Sequence, residues 1–376
     1  MDVLLYSFAL TAIRAEFQLS GAAAGALAAA PLATSAIGGV LFGYLSDRFG
    51  RARALTWSIL VFSVFTAFTA TSRTVAELVF WRSVVGIGLG GEWAAGSVLV
   101  AETWPAKHRA KGIGLMQSGW AIGYIAAAIL AALVLPRWGW RPLFLLGVLP
   151  AFFTWWIRRS IPEPAVWRKA AQPGAAPIAA LLRPPLRRRV LLFAALCSCL
   201  LFGYWGLFTW IPAYLSSPVE RGGAGLGIVK TSAWIVPMQV GAFFGYVLFG
   251  FIADRFGRRP AFLTFVLTTA ALIPVYGLLG KYATVLLVAG PLIGFFGHGY
   301  FSALGVMAAE MFPPIARTTA QGFCYNTGRA LSALAPATVG ALADRYGMGA
   351  ALGVTSVFFV CGAGVMWLLP GEPPEV

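Results

Sequence analysis

The chain of 376 residues is 59% hydrophobic and only 11% charged, with a mean hydropathy of +0.79. Soluble domains carry roughly a quarter charged residues, so this composition excludes a soluble globular protein and requires most of the surface to face lipid. The formal charge of +15 would point to nucleic acid in a soluble chain, but its placement along this one accounts for it without a nucleic-acid partner.

A bilayer core of about 30 Å takes roughly 20 apolar residues per helix. Apolar runs predict spans at 2–14, 22–45, 54–72, 76–101, 111–135, 141–158, 189–215, 228–252, 260–280, 283–309, 318–342 and 350–369. The first is short. Thirteen residues precede Arg14, about 20 Å of helix, and roughly 10 to 20 upstream residues are expected to complete the span. No basic region or small-residue cleavage site marks a cleaved leader. Between the sixth and seventh spans the chain is rich in proline (Pro162, Pro164, Pro173, Pro177, Pro184, Pro185) and in basic residues. It reads as a linker with a short surface helix near Trp167. The expected organisation is an N-terminal six-helix bundle over 1–158, a linker over 159–188 and a C-terminal six-helix bundle over 189–376.

With the first loop placed outside, the inside loops carry 18 of the 28 Lys and Arg residues and the outside loops carry 8. This positive-inside asymmetry predicts cytoplasmic termini in the cell inner (plasma) membrane. The four cysteines, Cys197, Cys199, Cys324 and Cys361, all lie in apolar runs without a CxxC pair or a clustered histidine. They read as small packing residues. No disulfide framework, metal or other cofactor is expected.

The sequence repeats itself. GYLSDRFGRAR at 43–53 recurs as GFIADRFGRRP at 250–260, ETWPAKHR at 102–109 as EMFPPIAR at 310–317, and WG at 138–139 as YG at 346–347, all at offsets of 207 or 208. Parallel repeats of this kind are a transporter device, with the substrate site between the halves. The repeated loop resembles the signature of the major facilitator superfamily. That resemblance implies an all-α integral membrane fold of twelve transmembrane helices, two six-helix bundles related by a pseudo-twofold axis. Gly43 and Gly250 permit close helix approach. Asp47 and Asp254 stand where they can pair with Arg48, Arg51, Arg255 or Arg258, or face a helix N-terminus. These residues, with the paired Glu102 and Glu310, are read as a gate; the alternative is a purely topological basic loop. A narrower resemblance lies in GLGGEWAAGSVLVAETWPAKHRAKG at 88–112, PEPAVW at 162–167 and AEMFPPIARTTAQGFCYNTGR at 309–329. These are similar to the sialate:proton symporters and their lactate and pyruvate permease relatives. DVLLYSFALTAIRAEFQLS at 2–20 is similar to the end of that group's first helix, where Asp2 matches the second of two acids.

Charges at bilayer depth are expensive, so each ionisable residue within a span is a candidate site. Arg329 lies near the middle of the eleventh span, with Asn326 and Tyr325 three and four residues earlier on the same face. A guanidinium can hold a carboxylate through two parallel hydrogen bonds; the alternative is an arginine braced on a carbonyl or an acid. The repeat places Ala121 opposite Arg329, and an asymmetric charge suits a substrate contact better than a scaffold. Arg82 opens R-x-x-x-G-x-G-x-G on the fourth span. This resembles the superfamily's fourth-helix motif, which implies proton coupling, against an arginine that only braces helices. Asp2, one turn from Tyr6, is the first candidate for the proton site. Glu92 is the second, because burial raises a carboxyl pKa. Either it titrates or it sits in an interhelical network. His298, on the tenth span, is counted with the substrate-binding residues; it titrates near neutrality or stays neutral and hydrogen-bonded.

Gln117, Trp120 and Tyr124 share one face of the fifth span. Tyr204, beside Trp205 and Phe208, and Gln239, near Trp234, add the aromatic walls and scattered polar groups of a small-solute pocket, although transmembrane aromatics also pack or face lipid. The expected function is proton-coupled uptake of a small organic anion, a monocarboxylate or sialate, by a monomer whose partners are its substrate, protons and the bilayer. Alternatives are an aromatic-acid, sugar or other neutral-solute carrier, or an exporter. The fifth span has no internal Gly–Pro pair, only Pro136 at its end, which counts against export. An enzyme is not expected: the histidines are His108 and His298 alone, with no HExxH, nucleophile elbow or P-loop.

Overall fold

The computed structural model describes residues 2–369 apart from 20, 106–107, 171–180, 182, 185, 217, 227, 281 and 314–315. Helices, in chain order, are α1 (Asp2–Phe17), α2 (Gly21–Phe49), α3 (Arg51–Thr69), α4 (Val75–Thr103), α5 (Arg109–Trp138), α6 (Trp140–Leu145), α7 (Leu149–Ser160) and α8 (Ala165–Ala170). Then follow α9 (Leu186–Phe208), α10 (Ile211–Ser216), α11 (Ile228–Phe256), α12 (Arg258–Leu278), α13 (Ala283–Gly299), α14 (Phe301–Met311), α15 (Arg317–Ser332), α16 (Leu334–Tyr346), α17 (Met348–Gly353) and α18 (Thr355–Leu368). Each of the twelve predicted spans corresponds to one helix or to consecutive helices.

Among the described residues, ten stretches are long and apolar enough to cross a membrane. The two predicted spans outside that set are α1 and the α15–α16 stretch. α15 is too polar to face lipid: Thr318, Thr319, Gln321, Asn326 and Arg329 all lie on it, and all are buried. It escapes lipid by packing against α2 of the other half and α9 of its own.

The turn between α2 and α3, predicted as a loop over several residues, is a single residue. Gly50 turns the chain at φ 118°, and its repeat partner Gly257 does the same between α11 and α12 at φ 89°. Only glycine adopts this geometry without strain, so the repeat extends to the backbone. Gly139 and Gly347 form a second such pair. α4 is started by Thr74, whose hydroxyl accepts from Glu77 N at 3.2 Å, a side-chain cap on an otherwise orphaned donor.

In the first half α2 and α3 pack on α4; in the second α11 packs on α13 and α9 on α18. The halves meet along two crossings, α2 with α15 and α5 with α11. Both depend on absent side chains. A Cβ on Gly39 would run into Asn326, one on Gly322 into the Gly39 carbonyl, and one on Gly114 into the Tyr246 carbonyl. Gly114 and Gly322 are 208 apart, and Gly39 and Tyr246 are 207 apart, so the two crossings are repeat-related copies.

The surface helix expected near Trp167 is α8. Glu163, just before it, accepts from Ala52 N at 3.2 Å and Arg53 N at 3.1 Å. It thereby caps the first turn of α3, where Gly50 has no side chain to offer. Trp167 Nε1 donates to the Asp47 carbonyl at 2.9 Å.

Candidate functional site

At the end of the bundle that carries the basic loops, a chain of charges crosses between the halves. Asp47 accepts from the Thr319 backbone N–H at 2.9 Å and from its hydroxyl, so it caps the first turn of α15 across the interface. Its other oxygen takes Arg51 at 2.9 Å. Arg51 reaches Glu102 at 3.0 Å, and Glu102 in turn receives Arg317 of the second half at 3.1 Å. In the second copy Asp254 pairs with Lys111 of the first half at 3.0 Å, and Arg258 pairs with Glu310. Thr319 and Lys111 are 208 apart: each aspartate meets the same position of the opposing half, once as a helix terminus and once as an ammonium. Gln321 hydrogen-bonds Ser97 across the same interface. A Cβ on Gly43 would stand 3.1 Å from Thr319 Cα. Arg48, bonded to Tyr44 at 2.6 Å, and Arg255, over the Phe256 ring at 5.5 Å, stay in local contacts away from this chain. Gly250 is buried within α11.

One turn beyond lies a cluster of aromatic side chains around Arg329. Arg329 is 5% exposed. It has no ion pair among the described residues, and its Nε has no hydrogen-bond acceptor. Its guanidinium stands over the Trp205 ring at 5.7 Å. Trp120 meets Trp205 edge to face at 6.2 Å. Tyr325 stacks at 3.9 Å on Trp93 of the first half, and Trp93 is held by its indole N–H on Gln117 Oε1 at 3.0 Å. Tyr124 is buried against Phe8, and Gln239 is buried with Oε1 lacking a partner. Tyr204 and His298 are hydrogen-bonded at 3.1 Å. Tyr6 lies under Arg82, 4.9 Å from its guanidinium. Both line a cavity of about 20 Å³ between the halves with Ser7, Trp205, Thr209 and Pro336.

Three expectations change. Asn326 was expected to help hold a carboxylate, but its amide nitrogen already donates to Gly90 O of the first half at 2.9 Å and to Gly322 O at 3.0 Å. It is a strut between halves, which a sequence face cannot reveal. Glu92 was expected to be buried and is exposed on α4. Gln117 turns its oxygen to Trp93, which leaves only its nitrogen available to a solute. Asp2 lies in α1, but its side chain is outside the described residues.

Sequence reasoning overlooked Trp93, Ser97, Lys111, Gln321 and Arg317. Lys111 and Arg317 were visible only as loop charges, and Trp93 sits in a run of small residues with no polar companion. Pairing positions across the 208-residue offset would have exposed Lys111 opposite Thr319. The cluster offers a buried cation, aromatic faces and isolated amides, the groups that suit binding of a small solute.

The Major Facilitator Superfamily profile matches residues 1–231 and 223–376. A cis,cis-muconate transport protein of Acinetobacter baylyi is 34% identical over 374 residues, 96% of this chain and 88% of the relative. The sialic acid transporter NanX of Escherichia coli is 26% identical over 95% of this chain and 87% of its own length. Among solved structures, the proton:xylose symporter XylE aligns with a TM-score of 0.80 at 19% identity, covering 99% of this chain and 92% of that one. The chain belongs to the Major Facilitator Superfamily: it is a multi-pass membrane transporter of small organic solutes, not an enzyme.

Proposed function

We propose that this protein takes up a small organic carboxylate with a flat, unsaturated or aromatic body, driven by protons. The observation that carries the reading is Arg329. A buried ion without a counter-charge is penalised by several kcal/mol, and a substrate carboxylate supplies the missing charge. The guanidinium fork fits a carboxylate in two-point contact, and Trp205, Trp120 and Tyr325 offer faces to an unsaturated body. The two relatives described above are named for a carboxylate each.

The basic loops face the cytoplasm in this reading, as do both termini, and the protein works as a monomer. The chain of Asp47, Arg51, Glu102 and Arg317, with Lys111 and Asp254, is then the inner gate, which must break for the substrate to leave inward. Asp2 is assigned the proton, with Arg82 beside Tyr6 as the nearby cation that senses it; Glu92 is the second candidate.

Uptake of labelled benzoate into proteoliposomes tests this. Arg329→Ala should raise the KM more than tenfold, and Arg329→Lys should restore only part of the loss, because an ammonium lacks the fork. An unchanged KM in Arg329→Ala refutes the site and favours a neutral solute. Uptake indifferent to an imposed proton gradient refutes the coupling, and Asp2→Asn should abolish the gradient's effect.

A further inference from the structure

His298 is completely buried at the heart of the second half, and transport of an anion by Arg329 gives it no direct task. Its surroundings define its state. Nδ1 lies 3.0 Å from the Gly294 carbonyl, one turn back on α13. A carbonyl can only accept, so Nδ1 carries a hydrogen. In the neutral ring Nε2 is then an acceptor, and the Tyr204 hydroxyl, 3.1 Å away on α9, donates to it. Both ring nitrogens are thus satisfied without charge. Phe208 at 4.3 Å and Tyr246 at 5.7 Å pack against the ring at steep angles. No carboxylate forms an ion pair with it among the described residues. The groups packed on it are Tyr204, Tyr246, Phe208 and the α13 backbone.

The bond fixes Tyr204, and Tyr204 is the support of its neighbour. Its ring meets Trp205 edge to face at 5.6 Å and 89°, and it is also wedged against Phe301 at 5.0 Å. Trp205 is the ring over which Arg329 stands and against which Trp120 abuts. A path of defined contacts therefore runs from the α13 backbone through His298, Tyr204 and Trp205 to the Arg329 guanidinium. A phenol with a fixed donor direction cannot rotate out of the way, so the indole beside it is held at one angle.

We propose that His298 is a positioning residue for substrate selectivity: through Tyr204 it sets the tilt of Trp205, and so determines how well a flat, unsaturated carboxylate is preferred over an aliphatic one at Arg329. It neither touches the substrate nor carries the coupled proton. The inference rests on the assignment of Arg329 to the carboxylate.

The test compares benzoate and lactate uptake by purified protein in proteoliposomes. Removing the ring nitrogens in His298→Phe, or the hydroxyl in Tyr204→Phe, should raise the KM for benzoate five- to tenfold. The KM for lactate should move less than twofold, and the maximal rates should stay close to the parent. The double variant should be no worse than either single one, because both cut the same bond. His298→Gln, whose amide oxygen can accept from Tyr204, should recover most of the benzoate affinity. The pH dependence of uptake should be the same in all of them. Benzoate and lactate moving together, additive singles, a shifted pH profile, or His298→Gln as poor as His298→Phe would each overturn the proposal. Should His298→Phe fail to fold, Tyr204→Phe and His298→Gln carry the test alone. If Arg329→Ala leaves both KM values unchanged, the carboxylate site itself is wrong. If Arg329→Ala is crippled while the His298 and Tyr204 variants match the parent, only this inference fails.

Discussion

The two copies of the interfacial charge cluster share a sequence but not an environment. In the first, Asp47, Arg51 and Glu102 have side chains 4%, 1% and 0% exposed. In the second, Asp254, Arg258 and Glu310 are 34%, 30% and 22% exposed. The difference follows from what each aspartate meets. Asp47 needs no cation from the other half, because Thr319 presents an N–H and a hydroxyl at a helix start, and close packing over Gly43 seals them in. Asp254 meets the long side chain of Lys111, whose ammonium keeps its water. α8, with Glu163 and Trp167, also braces the first copy. Duplication therefore preserved residues while the energetics diverged, and the two copies should respond differently to mutation and salt.

The largest effect is expected at Glu102. Glu102→Gln leaves Arg51 and Arg317 facing each other with one buried acid fewer, and breaking a buried ionic contact costs about 3–5 kcal/mol. The melting temperature of detergent-solubilised protein should fall sharply. Asp47→Asn keeps an oxygen for Thr319 but loses the charge on Arg51, and should cost about half as much by the same measurement. Asp254→Asn breaks a half-exposed pair worth less than about 1 kcal/mol. Its small effect should vanish in 1 M salt, where charges are screened beyond about 3 Å. If Asp254→Asn costs as much as Glu102→Gln, the contrast between the copies is wrong.

The smallest effect serves as a control at the opposite end of the molecule. Past the first predicted span, a hydrogen bond from Arg141 holds the Glu16 carboxyl below its ordinary value, against the opposing pull of burial, with Trp140 adding a second donor. A carboxyl lowered in the folded state stabilises above the ordinary glutamate range and loses that contribution as pH falls through it. Acidification to about pH 3.5 should lower the melting temperature less in Glu16→Gln than in the parent. The difference should be below about 1 kcal/mol, because both partners are well exposed.

The spans, the repeat and the family were legible because they depend on hydropathy and spacing. The interface was only partly legible. Asp47 and Glu102 stand out as acids repeated in both halves, and Arg329 as a charge within a predicted span. Their partners do not: Thr319, Ser97 and Gly90 are ordinary residues whose importance comes from their opposite number in the other half. Asn326 shows the limit most clearly. A helical face placed it beside Arg329, but which group takes its amide is decided by Gly90, 236 positions away. Glu92, which turns out exposed on α4, shows a related limit: periodicity says which residues share a face, not which face is covered.

The isolated charge at Arg329 also has an electrical consequence. In alternating access the potential falls mainly across whichever side is closed, so a fixed mid-depth cation changes its place in the field at each turnover. If Arg329 holds the substrate carboxylate, as proposed, binding cancels it, and the loaded transporter crosses that field without net charge at this site. The empty transporter does not, and a full charge is worth about 2.3 kcal/mol per 100 mV. Membrane voltage would therefore act on the return of the empty protein rather than on delivery of the substrate.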